Sequence, residues 1–239
     1  KPALGVDMHE RIRRAGVLVL RIDPPAKNRQ RQKEQHPKPI QATRLDPTLT
    51  HLLRKCPVPV WVVDDTHREG DVLAAVGPEF DAEAKSLNKS IVEMASSLAA
   101  RKGVQMHMVH VWRVFGESLL FSQRVSMVQE EIDSVMESSE SAANDLVARL
   151  KHDVPAARDA RVHLLHGEAD VALVGAIEEI QPSVVVMGTV ARKGIPGMII
   201  GNTAERTLLT VDASLLAVKP AWFESPVPPP TKASNLALR

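Results

Sequence analysis

Short apolar runs alternate with amphipathic stretches from Asp71 to Pro220, and this alternation restricts the fold more than any other feature of the chain. Apolar runs bounded by turn residues are typical of buried strands, and apolar residues at helical spacing indicate helices between them. Strands that alternate with helices build a parallel sheet with helices on its faces. The sequence therefore predicts an α/β fold of the doubly wound kind.

Five segments have the composition of strands: 71–76, 104–112, 161–166, 183–188 and 213–220. The continuous apolar run in the fourth segment suits a strand that is buried on both faces of a sheet. A long helix is predicted between Gln123 and Lys151, because its apolar positions lie near one face. The proline-rich tail at 223–239 can neither pair in a sheet nor continue a helix, so we expect it to be extended or disordered.

The sequence before Asp71 resembles the C-terminal end of the α/β region that runs from Asp71 to Pro220. A strand is predicted at 14–22, and a helix end leads into another strand within 50–63. At a constant offset of 156 residues, Leu52, Leu53, Cys56, Val60 and Val62 match Leu208, Leu209, Asp212, Leu216 and Val218.

This internal repeat predicts three regions. Residues 1–66 are the C-terminal half of a first domain, 67–222 are a complete domain, and 223–239 are the tail. On this interpretation about 100 residues of the first domain are absent from the chain. The alternative is that residues 1–64 form a small cap unrelated to the second domain.

Composition excludes several classes of function. The chain has 30 Lys plus Arg against 29 Asp plus Glu, so bulk charge points to neither a nucleic-acid nor a membrane partner. The single cysteine, Cys56, excludes an internal disulfide and a cysteine-built metal site, and it favours a cytoplasmic location. His107 and His110 lie three apart on one predicted strand, as do His163 and His166, so members of each pair face opposite sides and no metal site is predicted.

Residues 183–206 carry the clearest sign of a binding site. An apolar strand ends at Gly188, an irregular loop follows, and Gly201 and Asn202 open a helix. Anionic ligands bind at the carboxyl edge of such sheets and at helix N-termini, so this order favours a nucleotide. The motifs GxSxG, GxxxxGK[ST], HExxH and CxxC do not occur in the sequence. No catalytic residue is therefore predicted, and any ATP hydrolysis should be very slow.

Three segments carry a resemblance to a known family: LLRKCPVPVWVV at 52–63, KSLNKSI at 85–91 and MGTVARKGIPGMIIGNTAERTLLTVDASLLAVKP at 187–220. Together they resemble the tandem-domain type of the universal stress protein family. The resemblance implies a Rossmann-like domain, of the adenine-nucleotide alpha hydrolase-like kind, with a five-stranded parallel sheet. It also implies pairing through the last strand, a cytoplasmic role in surviving stress and, in many members, bound ATP.

The resemblance also implies which residues would bind the nucleotide. The family's pattern of glycine, two residues, glycine, nine residues, glycine and serine or threonine falls on Gly188, Ala191, Gly201 and Asn202. The spacing is kept, but Ala191 and Asn202 depart from the pattern. The family's adenine-contacting aspartate corresponds to about Gly77, which has no carboxylate.

Other positions complete the predicted site. Thr203 offers the hydroxyl of the family's serine, Val111 matches its apolar contact to the base, and Arg192 and Lys193 are cations near the phosphates. The predicted nucleotide-binding residues are Val111, Gly188, Thr189, Ala191, Arg192, Gly201, Asn202 and Thr203. Magnesium is expected only together with ATP.

Two functions remain open at this point. One is a stress protein whose nucleotide-binding loop acts as a switch, and the other is a ligand-free structural or interaction protein that dimerises through its edge strands. An adenylyl-transferring or flavin-binding enzyme is a third option without a supporting motif. Asn202 and Glu205 also form a capping box, as N-cap and N3, which would stabilise the helix without a ligand. The last strands, 58–63 and 214–219, are predicted to pair with each other or with another chain.

Overall fold

The computed structural model describes residues 17–22, 47–64, 69–114, 117, 129–189, 201–210 and 213–223. In these ranges the strands are β1 (Leu18–Ile22), β2 (Val60–Asp64), β3 (Val72–Val76), β4 (Met106–Trp112), β5 (Arg161–His166), β6 (Val184–Gly188) and β7 (Ser214–Val218). The helices are α1 (Pro47–Lys55), α2 (Ala82–Lys102), α3 (Gln129–Asp153), α4 (Ala169–Ile180) and α5 (Asn202–Thr210), with a 3-10 turn at Pro155–Ala157.

The seven strands form one sheet in the order β1-β2-β7-β6-β3-β4-β5. Every neighbouring pair is parallel except β2 and β7, which are antiparallel. Strands β3 to β7 make up the predicted five-stranded parallel sheet, so the predicted α/β fold is confirmed. In this order β3 lies between β4 and β6. The chain continues from β3 to β4 and β5 on one side, and then crosses to β6 and β7 on the other side of β3.

The observed elements follow the predicted pattern closely. Strand β5 has the predicted bounds, and β4 begins two residues later than predicted. Strand β7 is buried at every residue, whereas β5, at the edge of the sheet, is partly exposed. The first part of the predicted long helix, 123–128, and the predicted tail beyond Phe223 lie outside the described residues.

The sheet separates two hydrophobic clusters, one on each face. On one face, α1 and α4 pack with Leu53, Leu173 and Ile177 against inward residues such as Val185. On the other face, α2 and α3 contribute Ile91, Val92, Leu146, Val147 and Leu150 to the cluster. Helices on both faces explain why the central strands are continuously apolar in sequence.

The antiparallel pairing of β2 with β7 joins the N-terminal part to the larger sheet. Val60 pairs with Ala217, and Trp61 pairs with Leu216. At the offset of 156 residues, Val60 is equivalent to Leu216 and Trp61 is equivalent to Ala217. Replacing each residue of a pair by its equivalent therefore turns one of these two pairs into the other, so the register is symmetric. Such a self-complementary contact is the geometry of a two-fold interface. The pairing predicted between the last strands therefore occurs within the chain.

A hydrogen-bonded chain crosses the amino ends of β3, β4 and β5. Oδ2 of Asp71 lies 3.0 Å from Nε2 of His107, and Nδ1 of His107 lies 2.9 Å from Nε2 of His163. The two ring centres are 5.1 Å apart and the ring planes differ by 14°. Because the nitrogens are much closer than the ring centres, the rings lie edge to edge and the nitrogens point at each other. The contact between His107 and His163 is thus a hydrogen bond with one proton between the two nitrogens. The described residues contain no group of three or more side chains that could hold a metal ion.

Stability is expected to fall in weak acid because of His110, which is buried, and His163, which is partly buried. Burial lowers the pKa of His110 despite its hydrogen bond to the Val76 carbonyl and the charge of Glu79, and burial and His107 lower the pKa of His163. Below the ordinary pKa of 6.5, the unfolded chain therefore binds more protons than the folded one. The free energy of unfolding should decrease as the pH falls from 6.5 through the folded pKa values, by about 1.4 kcal/mol for each unit by which the pKa of His110 is lowered and by less for the more exposed His163.

Urea denaturation between pH 7.5 and 5 measures this slope. A His110→Gln variant should have a shallower slope than the wild type, whereas His152→Gln, at a side chain that is 88 % exposed, should leave it unchanged. Equal slopes for the wild type and His110→Gln would contradict the prediction.

Candidate functional site

The candidate site lies at the carboxyl ends of β3 and β6. These strands are adjacent in the sheet, and their connections run to opposite sides of it. Ligands of open α/β sheets bind in the crevice formed at such a point, outside the carboxyl ends of the strands. The fold therefore places both ends of the predicted loop, at Gly188 and Gly201, near the position where this class of sheet binds ligands.

Both ends of the predicted loop meet at Thr189. The amide of Gly201 donates to the carbonyl of Thr189 at 3.0 Å, and the amide of Thr189 donates to the carbonyl of Val218 at 3.3 Å. Thr189 is 1 % exposed. The structure thus brings together Gly188, at the end of β6, and the start of α5. Ala191, Arg192 and Lys193 lie outside the described residues.

Val111 lies further from this meeting point. It is the penultimate residue of β4, and β3 separates β4 from β6 in the sheet. Its side chain packs against the cluster on the α1 and α4 face. The structure therefore places Val111 near the same edge of the sheet, one strand beyond the β3 and β6 ends.

The predicted capping box at the start of α5 is wrong by one residue. The helix begins at Asn202, and the amide of Glu205 donates to the carbonyl of Gly201 at 3.0 Å. The residue whose carbonyl accepts the first helical hydrogen bond is the N-cap, so Gly201 is the N-cap and Asn202 is N1. Thr203 follows at N2, in the turn whose amides have no partner within the helix.

The two glycines of the site have different surroundings. A Cβ added at Gly188 would lie 3.0 Å from Cδ2 of Leu87 and 3.8 Å from Cδ1 of Ile91, so the tip of the Leu87 side chain in α2 would have to shift to admit it. A Cβ added at Gly201 would meet none of the described atoms within 4 Å. Among the described residues, none occupies the space beside Gly201, whereas Gly188 lies against Leu87 of α2.

The side chain of Asn88, in α2, binds the backbone of Gly77 directly after β3, at the position where the resemblance implied an aspartate. The amide of Gly77 donates to Oδ1 of Asn88 at 3.0 Å, and Nδ2 of Asn88 donates to the carbonyl of Gly77 at 2.8 Å and to Oε1 of Glu79 at 3.1 Å. Glu79 also pairs with Arg149. Asn88 is 3 % exposed and satisfies both backbone groups of Gly77. The turn after β3 therefore carries a carboxylate at Glu79, two residues after the expected position.

Lys219 is a site residue that the sequence reasoning missed. It directly follows β7, it is 8 % exposed, and its Nζ donates to Oγ1 of Thr189 at 2.8 Å and to the carbonyl of Leu53. Burial lowers the pKa of Lys219 to about 8, and the neighbouring Cys56 opposes this shift. The available signal was a lysine at the end of an apolar strand, in LLAVKP.

Comparison with known proteins agrees with the fold. A sequence model of the universal stress protein family matches residues 81–219. Universal stress protein E of Escherichia coli K12 is 28 % identical over 195 residues, which cover 79 % of this chain and 59 % of the relative. The universal stress protein E homolog of Haemophilus influenzae is 27 % identical over 183 residues, covering 71 % of this chain and 55 % of the relative. The chain thus spans less than two thirds of the length of these relatives.

Solved structures show the same fold. A functionally unknown protein from Pseudomonas aeruginosa PAO1 aligns with a TM-score of 0.65 at 24 % identity, covering 92 % of this chain and 69 % of that protein. A universal stress protein from Archaeoglobus fulgidus aligns with a TM-score of 0.53 at 16 % identity, covering 90 % and 66 %. Among the described residues, no helix is both long and apolar enough to cross a membrane.

Proposed function

The chain belongs to the universal stress protein family, and from this premise we propose that it is a stress-response protein that binds an adenine nucleotide at the carboxyl ends of β3 and β6. One observation carries the proposal: the hydrogen bond between Gly201 and Thr189 holds the start of α5 against the end of β6. The first-turn amides of a helix attract phosphate, and the space beside Gly201 leaves room for it.

We propose that the bound nucleotide acts as a switch rather than as a substrate. A ligand held between Thr189 and Gly201 would favour one arrangement of the connection between them, and a partner protein would recognise that arrangement. ATP is the proposed ligand, with magnesium bound only through its phosphates. The proposed location is the cytoplasm, where ATP is abundant. Catalysis is not part of the proposal.

Titration calorimetry with ATP and magnesium tests the proposal, and a Gly201→Val variant locates the site. We expect the variant to lose about tenfold or more in affinity, because its side chain fills the space beside the helix start. The variant should still fold, since an added Cβ at Gly201 meets no described atom within 4 Å.

Gly175→Val is the matched control. Gly175 lies in α4, and an added Cβ there also meets none of the described atoms within 4 Å. This variant should bind ATP like the wild type. Wild-type protein that binds no ATP up to millimolar concentration, and releases no nucleotide on denaturation, would refute the nucleotide function. A ligand-free interaction protein is the function that such a result would leave.

A further inference from the structure

The ammonium of Lys219 is a buried cation whose hydrogen-bond acceptors in the described part of the chain are an uncharged hydroxyl and an uncharged carbonyl. It donates to the Thr189 hydroxyl and the Leu53 carbonyl, and it lies 4.8 Å from the centre of the Phe223 ring. None of the described carboxylates forms an ion pair with it. Lysine is rarely buried without an opposite charge, because transferring an ammonium from water is costly.

The end of helix α1 explains one of these contacts. Leu53 lies in the last turn of α1, where carbonyls lack helical partners and a nearby cation is favourable. This contact does not compensate the burial, since the pKa of Lys219 remains lowered from 10.5 to about 8. A structural role as a helix cap therefore leaves the charge of Lys219 largely uncompensated.

The position of Lys219 indicates what would compensate the charge. Gly188 and Val218 pair in register, so Thr189 and Lys219 follow their strands side by side at the edge that carries the proposed nucleotide site. The Thr189 hydroxyl accepts from Lys219, and a hydroxyl that accepts one hydrogen bond still has its own proton to donate. An ammonium beside a hydroxyl group is a combination that suits a phosphoryl oxygen.

We propose that Lys219 provides the positive charge for a phosphoryl group of the bound ligand, and that Thr189 positions its ammonium and donates a second hydrogen bond to the same group. The inference rests on the proposed nucleotide site. The shared chemistry is the phosphoryl group, whether it belongs to ATP or to free pyrophosphate. A ligand phosphate would supply the opposite charge that the described residues do not provide.

Proton uptake on binding tests this role directly. At pH 8.0 about half of Lys219 is neutral, and an anion bound beside it favours the charged form. Calorimetry with ATP in two buffers of different ionisation enthalpy should therefore show uptake of up to about half a proton. Lys219→Arg keeps a permanent charge and should show no uptake, whereas Lys219→Met should show no uptake and about tenfold or more weaker binding.

Three controls show whether the proton is taken up by Lys219 or by another group. Cys56 is a titratable side chain that acts on Lys219, so Cys56→Ser must keep the uptake. Lys89→Met, which removes a lysine whose side chain is 51 % exposed, should change neither uptake nor affinity. Adenosine, which has no phosphate, should bind without uptake.

The outcomes distinguish this inference from the nucleotide function. If wild-type protein binds ATP without proton uptake and Lys219→Met binds equally well, the role of Lys219 is wrong and the nucleotide function stands. If ATP does not bind but pyrophosphate binds with an uptake that Lys219→Met abolishes, the phosphoryl site stands and base recognition is wrong. If neither ligand binds, both proposals are refuted. The wild-type uptake requires no variant, so a misfolded variant does not prevent the test.

Discussion

A Val62→Pro variant is expected to release the N-terminal part of the chain from the sheet while the sheet of β3 to β7 stays folded. Val62 is 1 % exposed and lies in β2, which pairs with β1 on one side and β7 on the other. Proline has no backbone N–H group. Because β2 is paired on both sides, the loss of this group removes a hydrogen bond to either β1 or β7. The unpaired buried group alone costs about 1–3 kcal/mol, and the steric conflict of the ring adds to this.

Hydrogen exchange measured by mass spectrometry reports the result. Amides in 47–64 should exchange rapidly in Val62→Pro, while those in β3 and β6 should stay protected, because β6 keeps its partners β3 and β7. Ala82→Pro is the control, since the first residue of a helix tolerates proline and α2 begins at Ala82. Loss of protection throughout the sheet would show that the N-terminal part and the larger sheet unfold as one unit.

The same variant should change the oligomeric state. Without β2, β7 presents an unpaired edge of backbone donors and acceptors. The observed register is self-complementary under the 156-residue offset, so a second β7 can take the place of β2. Light scattering after size exclusion should therefore show dimers of Val62→Pro at concentrations where the Ala82→Pro control matches the wild type. A variant that releases 47–64 and stays monomeric would contradict this pairing.

The second large effect is expected in alkaline solution and concerns Lys219. The pKa of Lys219 falls from 10.5 in the unfolded chain to about 8 in the folded protein because of burial. Between pH 8 and 10.5, Lys219 is mostly protonated in the unfolded chain and mostly neutral in the folded protein. The free energy of unfolding therefore increases as the pH rises from 8 to 10.5, and this increase is lost as the pH falls back to 8. The full difference corresponds to about 3.5 kcal/mol at about 1.4 kcal/mol per pH unit, and most of it develops between pH 8 and 10.5.

Comparison with Lys219→Met isolates this contribution. The free energy of unfolding of the wild type, minus that of Lys219→Met, should increase by about 3 kcal/mol between pH 8 and 10.5. Urea titrations at several pH values measure it, and the absence of tyrosine from the sequence removes phenol titration from this range. Lys89→Met controls for the loss of a surface lysine. A constant difference between wild type and Lys219→Met would show that the ammonium is not buried as described.

The strands, and the pairing of β2 with β7, could be predicted from the sequence for a physical reason. A strand buried on both faces must be apolar throughout, so runs such as VVVM in β6 are visible without the structure. The repeat at an offset of 156 predicted that Val60 and Leu216 occupy equivalent strands, and those strands are neighbours in the sheet. The start of α5 was misplaced by one residue, because the N-cap depends on which carbonyl accepts the first helical hydrogen bond.

By itself, then, the sequence indicated the α/β fold through its periodicity, and three of its segments showed the resemblance to the family. Tertiary structure alone decided which distant side chains meet. Strand order and register set His107 against His163 and Lys219 against Thr189, and the packing of α2 set Leu87 against Gly188. The buried lysine was missed for this reason: its burial and its partners come from β6, α1 and the chain after β7, which meet only in the folded sheet.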